Sequence, residues 1–223
     1  MEERNFLNLN LTQVVAALED AQQSVTVVAA SKTQSADTIR AAWQAGVRDF
    51  GENYLAEFLD KMQALTDLPI TWHYIGRIQS NKTRAIAEHF SWVHTVDRDK
   101  VARRLSDHRS GNAEPLNTLI QVNIDADPNK AGVPPNQAAN LVEAILALPN
   151  LKLRGFMTML NPATNPADGY RSMAQLAEEL RQAYREQATL DCLSMGMSAD
   201  WPDAVAQGAN MIRLGTTLFG ARK

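Results

Sequence analysis

The chain has a single cysteine, Cys192, in 223 residues. That count excludes a disulfide framework and a cysteine-built zinc site, and it points to a reducing compartment. Cys192 lies in an apolar, strand-like run, where a thiol is normally buried and inert. No apolar stretch reaches the length of a membrane span. The start, Met1-Glu-Glu-Arg, lacks the basic region and apolar core of a secretory signal, so the expected location is the cytoplasm, with no membrane partner. Positive charge is not in excess either: 22 basic residues face 25 acidic ones, for a net charge of -3. A nucleic-acid-binding domain usually carries a basic face, so nucleic acid is not expected as a partner. Histidines number four. His89 and His108 fall in helical stretches and read as solvated, and His94 has no ligand-type residue at metal-binding spacing. Asp125 and Asp127 read as a solvated turn.

What is present in quantity is alternation. Val25 to Ser31 is an unbroken run of small, apolar and β-branched residues, too short for a buried helix. Without polar alternation it reads as a strand covered on both faces, as in a parallel sheet. It ends in polar turn chemistry at Ser31, Thr33, Gln34 and Ser35, with Lys32 at its carboxyl end, the edge where α/β folds place ligands. Two readings fit Lys32 from this segment alone. In one it snorkels into water; in the other, backed by a low-dielectric wall, it serves as an amine that attacks a carbonyl.

Ahead of this strand, Asn10 to Ala21 has helical apolar spacing. After it, helix and strand patterns alternate to the end. Helices are expected over residues 35–46, 53–65, 81–89, 97–108, 136–148, 170–188 and 200–207. Strands are expected over 47–51, 70–75, 92–96, 116–124, 151–157, 192–195 and 211–214. Residues 161–169 read as a Pro/Asn/Ala loop. Eight strands and a leading helix consume the whole chain without a linker, which predicts one domain over residues 1–223, a (β/α)8 barrel with an extra N-terminal helix. A doubly wound open sheet is the competing fold.

In such a barrel phosphate commonly binds beyond strands seven and eight. The two loops there are Ser194-Met-Gly-Met-Ser198-Ala-Asp200 and Arg213-Leu-Gly215-Thr216-Thr217. Each supplies glycine and hydroxyls, and backbone N–H groups at a helix start suit an anion. Read singly, Ser198 and Asp200 cap a helix and Gly215 fits a turn; together they form a phosphate cradle. Arg213 interrupts an apolar strand, where a charge must be paired. Strands one and eight are neighbours when a barrel closes. A carbonyl-reactive lysine, an arginine beside it and a phosphate cradle together describe a pyridoxal phosphate site.

The blocks Val-Ala-Ala-Ser-Lys32-Thr, Asp49-Phe-Gly-Glu-Asn53, His73-Tyr-Ile-Gly76-Arg-Ile-Gln-Ser-Asn-Lys82, Leu119-Ile-Gln-Val-Asn123, Arg154-Gly-Phe-Met157, Leu193-Ser-Met-Gly-Met-Ser198 and Arg213-Leu-Gly-Thr216 occur in this order. The chain thereby resembles the pyridoxal phosphate homeostasis proteins, single-domain relatives of the amino-terminal barrel of alanine racemase. The resemblance implies that Lys32 holds pyridoxal 5'-phosphate as a Schiff base. It implies that Ser198, Gly215 and Thr216 hold the phosphate and that Arg213 faces the pyridine nitrogen. Asn53, His73 and Met157 would complete the cofactor site. The loop Asp127-Pro-Asn-Lys130-Ala-Gly132 departs from the Ser-Lys-Ser-Gly type, so no second role is carried over to Lys130.

Three uses of such a site remain open at the level of sequence. One is a carrier that binds, buffers and delivers the cofactor to pyridoxal phosphate-dependent apo-enzymes, with no catalytic residues. The second is a pyridoxal phosphate-dependent amino-acid racemase. The third is a cofactor-free aldolase using Lys32. Racemisation needs an acid–base group on each face of the substrate. In the racemases that the chain resembles, the opposing tyrosine comes from a second, β-rich domain, and this sequence stops at Lys223, just after strand eight. The carrier is therefore the expected function.

Overall fold

The computed structural model describes residues 2–20, 24–109 and 111–220, with side chains for 10–19, 24–109 and 111–220. Its strands are β1 (Thr26–Ala30), β2 (Asp49–Glu52), β3 (Thr71–Tyr74), β4 (Trp92–Val96), β5 (Leu116–Gln121), β6 (Leu151–Met157), β7 (Cys192–Met197) and β8 (Met211–Leu214). Its helices are α1 (Glu2–Asp20), α2 (Ala36–Gln44), α3 (Leu55–Ala64), α4 (Thr83–His89), α5 (Asp99–His108), α6 (Ala138–Leu146), α7 (Pro166–Ala183), α8 (Trp201–Ala206) and α9 (Thr216–Phe219). Each strand pairs in parallel with the next, and β8 returns to β1, with Val28 opposite Arg213. The barrel that the alternation predicts is closed, and the open sheet is excluded.

Alternate residues of a strand face opposite sides, which explains why β1 carries no polar residue after Thr26. Val28 packs inside the barrel with Leu119, Met157, Cys192 and Met211, whereas Ala29 packs in the layer between strands and helices. Both are fully buried. Close approach of β6 to β7 depends on Gly155. Its φ is +144°, and a Cβ there would lie 2.0 Å from the Cys192 carbonyl oxygen.

Local chemistry sets the helix ends. Ser35 caps α2, its hydroxyl accepting from the Thr38 N–H, and Gly46, at φ +111°, lets the chain leave the helix. Two expectations need correction. The long seventh helix begins at Pro166 instead of near residue 170, because Asn165 caps it and proline at the first helical position forfeits no hydrogen bond. The leading helix begins at Glu2 instead of Asn10, and its expected last residue, Ala21, lies outside the described residues. Among the described residues no helix is long and apolar enough to cross a membrane.

Candidate cofactor site

Lys32 sits in the turn directly after β1, and the residues on either side of it are clamped to α3. The Lys61 ammonium donates to the Ser31 carbonyl oxygen at 2.8 Å, and the Thr33 N–H donates to the Glu57 carboxylate at 3.0 Å. Thr33 has φ +66°, an uncommon and strained conformation for a β-branched residue. Beneath the turn, Glu52 at the end of β2 accepts from the Ser31 hydroxyl at 2.7 Å and from Lys61 at 2.8 Å. Glu52 is fully buried, and burial pushes its carboxyl upward against the Lys61 and Ser31 hydrogen bonds, which favour the anion. Glu57 is held low, first by the Thr33 N–H and then by Lys61.

This ion pair makes a stability prediction. Removing one partner of a buried pair typically costs about 3–5 kcal/mol, because the other charge is left uncompensated. Lys61→Met is expected to lose that much in urea denaturation at neutral pH, and adding Glu52→Gln should recover most of it. A Lys61→Met midpoint equal to wild type would show that the pair carries no such stability.

Arg213, on β8, is buried, and its guanidinium is pinned from β7 and from the residue that follows β6. Nη1 donates to the Ser194 hydroxyl at 2.7 Å and Nη2 to the Thr158 carbonyl oxygen at 2.9 Å. Burial lowers its pKa to about 10, opposed by Tyr170 and Asp200. Beyond β7, the Ser198 hydroxyl accepts from the N–H groups of Gly215 and Thr217 at 3.2 and 3.1 Å. Gly215 lies against the end of β1, where a Cβ on it would stand 3.7 Å from Ala30. The loops after β7 and β8 therefore meet beside the strand that carries Lys32.

Asn53 follows β2, and its buried side-chain oxygen has no hydrogen-bond partner among the described residues. It borders a groove of about 510 Å³ whose rim includes Tyr54, Tyr74, Arg77 and Lys82. The loops after β2 and β3 touch closely here, since a Cβ on Gly76 would fall 2.3 Å from the Asn53 carbonyl oxygen. His73 and Met157 lie deeper. Met157 belongs to the apolar cluster inside the barrel. Both ring nitrogens of His73 are engaged at 2.9 Å, Nε2 with Asp49 and Nδ1 with His94, so His73 can act on a bound molecule only through its neighbours.

The sequence missed three features. His94 does have a second histidine beside it, supplied by the neighbouring strand β3, although the described residues contain no group of side chains able to hold a metal. Asp125 and Asp127 are not a solvated turn. Asp127 is buried and the Asp125 side chain is largely covered, and they tie the loop after β5 to the loop after β6 by accepting from the Asn161 side-chain and backbone N–H groups respectively. Lys61 sits in a helix whose pattern gave no sign of a buried charge, and its partner Glu52 was visible only as part of a motif. Lys130 donates to the Met159 carbonyl oxygen at 3.0 Å. Cys192 is buried and its thiol is pushed up to about 12, which leaves it an inert packing residue.

Residues 5–223 match the family described as alanine racemase, N-terminal domain. The pyridoxal phosphate homeostasis protein of Pseudomonas aeruginosa is 47% identical over 220 residues, spanning 96% of this chain and 94% of that relative. The protein of the same name from Escherichia coli K12 is 41% identical over 203 residues, or 90% of this chain and 87% of the relative. Among solved structures, PipY of Synechococcus elongatus with PLP bound aligns with a TM-score of 0.87 at 37% identity, over 96% of this chain and all of that one. An alanine racemase of Clostridium difficile shares the fold at a TM-score of 0.76 and 12% identity, and the match takes in 100% of this chain but 60% of the racemase.

Proposed function

The chain belongs to the alanine racemase N-terminal domain family, and from that premise we propose that it binds pyridoxal 5'-phosphate through Lys32 and serves in cofactor homeostasis. It binds, buffers and delivers the cofactor without turning over amino acids efficiently. The observation that carries this reading is the convergence of unlike donors on one end of the barrel. Lys32 leaves β1, Arg213 stands on the adjacent β8, and Ser198 meets the Gly215–Thr217 backbone beside Ala30. An amine, a buried guanidinium and a hydroxyl-and-amide cradle fit an aldehyde, a ring nitrogen and a phosphate respectively. The unpartnered Asn53 oxygen adds a polar atom on the β2 side. When bound, pyridoxal phosphate supplies an aldehyde for amines and a ring that stabilises a carbanion.

In this reading Lys32 anchors the cofactor covalently, and Ser198, Gly215 and Thr216 hold its phosphate. Arg213 faces the pyridine nitrogen and, as a fixed cation, keeps it unprotonated. Asn53 lies near the ring, and Met157 and His73 support the site from inside the barrel. The recipients of the cofactor are pyridoxal phosphate-dependent apo-enzymes in a reducing, cytoplasmic compartment. The deciding measurement is the visible spectrum of the purified protein before and after borohydride, followed by mass mapping of the labelled lysine. A yellow protein whose label maps to Lys32 is expected. A colourless protein that takes no label from added pyridoxal phosphate would support the aldolase reading instead.

The phosphate cradle has its own test. Charge-assisted hydrogen bonds contribute about 1.5–3 kcal/mol each, so Ser198→Ala and Thr216→Val are each expected to weaken pyridoxal phosphate retention by roughly ten- to a hundredfold. Retention of pyridoxal, which lacks the phosphate, should change little. Equal losses for both ligands would remove the phosphate from the explanation.

A further inference from the structure

A continuous line of hydrogen bonds crosses the interior of the barrel. It runs from Arg213 to Ser194 at 2.7 Å, from Ser194 to His94 at 3.1 Å, from His94 to His73 at 2.9 Å and from His73 to Asp49 at 2.9 Å. The side chains of Ser194, His94 and His73 are fully buried, whereas Asp49, the first residue of β2, keeps a side chain 26% exposed. The line therefore joins the arginine of the cofactor site to the opposite, amino-terminal end of the barrel. Trp92 stacks on His73, with centroids 5.6 Å apart, and separates the line from Arg154.

The two ends of this line differ in kind. A guanidinium only donates and a carboxylate only accepts. Asp49 therefore requires a proton on His73 Nε2. A neutral His73 then has a bare Nδ1, which accepts from a proton on His94 Nε2. A neutral His94 in turn has a bare Nδ1, which accepts the Ser194 hydroxyl proton. Only lone pairs of the Ser194 oxygen remain for Arg213. Burial favours the neutral form of both rings: it lowers His73 against the pull of Asp49, and together with His73 and Arg213 it lowers His94.

We propose that Asp49 is a positioning residue for Arg213. From the far end of the barrel it fixes both histidine tautomers and the Ser194 hydroxyl, so that Ser194 presents an acceptor to the arginine and holds it in place for the cofactor's ring nitrogen. The proposal rests on the cofactor reading given above and extends it to a residue outside the cofactor's reach. Without the carboxylate, the chain is free to reverse. His94 would then donate to Ser194, compete with Arg213 for its oxygen and leave the serine proton without its partner in a buried site, a costly state.

The protein without cofactor, labelled with 15N at its four histidines, reports the tautomers directly. His73 and His94 are expected as single Nε2–H tautomers, and in Asp49→Ala both should shift toward Nδ1–H or exchange between forms. Binding is then compared for pyridoxal phosphate and its 1-deaza analogue, which lacks the ring nitrogen. Asp49→Ala should weaken pyridoxal phosphate about tenfold, the loss of roughly one hydrogen bond, and the analogue less than about twofold. Asp49→Glu, which restores a carboxylate, should recover most of the difference. Should Asp49→Ala fail to fold, His73→Phe keeps a ring beside Trp92, cuts the chain one link higher and carries the same comparison. Unchanged tautomers in the variant, or equal effects on the two ligands, would overturn the proposal while the cofactor reading stands. A wild-type protein that binds neither ligand would fail the cofactor reading itself and remove this role for Asp49 with it.

Discussion

Lys32→Ala is expected to lose the yellow absorbance and the borohydride-stable label of the wild-type protein completely, because the neighbouring amine at the end of β1, Lys61, is tied to the Ser31 carbonyl oxygen and to Glu52. The loss is one of covalent attachment, and weaker, reversible binding of pyridoxal phosphate should remain through the phosphate cradle and Arg213. The fold should be nearly unaffected. The bonds that clamp this turn are made by Ser31 and Thr33, whose partners are Lys61, Glu52 and Glu57, and the substitution leaves all five in place. A mutant that melts like wild type, shows no added mass after borohydride and releases cofactor on dialysis is the expected result. A label that persists at full occupancy and maps to Lys82, on the rim of the neighbouring groove, or to Lys130, tied to the Met159 carbonyl oxygen, would show that the assignment of Lys32 is wrong.

The place of Lys32 just beyond the carboxyl end of β1 was legible in the sequence because its signal is local: a two-faced apolar strand that stops at a lysine and turn residues. The two loops beyond β7 and β8 were legible for the same reason, once the alternation had numbered the strands. The interior chain was not. His73, His94 and Ser194 each occupy a middle position of a short strand, and nothing in a single segment says which of its residues points inward at the same level as the others. Barrel closure makes the chain, since His94 and Ser194 are 100 residues apart and come from β4 and β7, which are not neighbours in the barrel. The ion pair of Glu52 and Lys61 was hidden by a different cause. A lysine on a helix ordinarily reaches water, and only the position of α3 over the carboxyl ends of β1 and β2 turns this one inward. The start of α7 was misplaced through a residue-level error: Asn165-Pro166 is a helix-opening pair as well as a loop pair, and the opening reading is the one that tertiary packing selects.

The remaining prediction concerns catalysis. Racemisation of an amino acid requires a base on one face of the α-carbon and an acid on the other. Lys32, once displaced by an amino acid, can serve one face. The other face needs a group of suitable pKa, and burial moves three of the chain's four tyrosines away from it. Burial raises Tyr74, whose hydroxyl donates to the Arg77 carbonyl oxygen. Tyr170 is pushed far upward by burial and by Asp200, to which it donates at 2.8 Å. Tyr184 is raised by burial and by Glu143. Tyr54 is 58% exposed at the groove beside Asn53, with no cation bonded to its hydroxyl among the described residues. Cys192 is raised as well. Losing acid–base help on one face typically forfeits about 10²–10⁴ in rate, so against a median turnover number of about 10 per second this chain should fall to about 10⁻³–10⁻¹ events per second. Solvent-deuterium wash-in at the α-carbon, run on the cofactor-loaded protein with L- and D-alanine and a panel of other amino acids, measures that rate. Slow exchange that disappears in Lys32→Ala is the expected outcome. Exchange or inversion at several turnovers per second, also lost in Lys32→Ala, would make the protein a racemase and end the carrier reading.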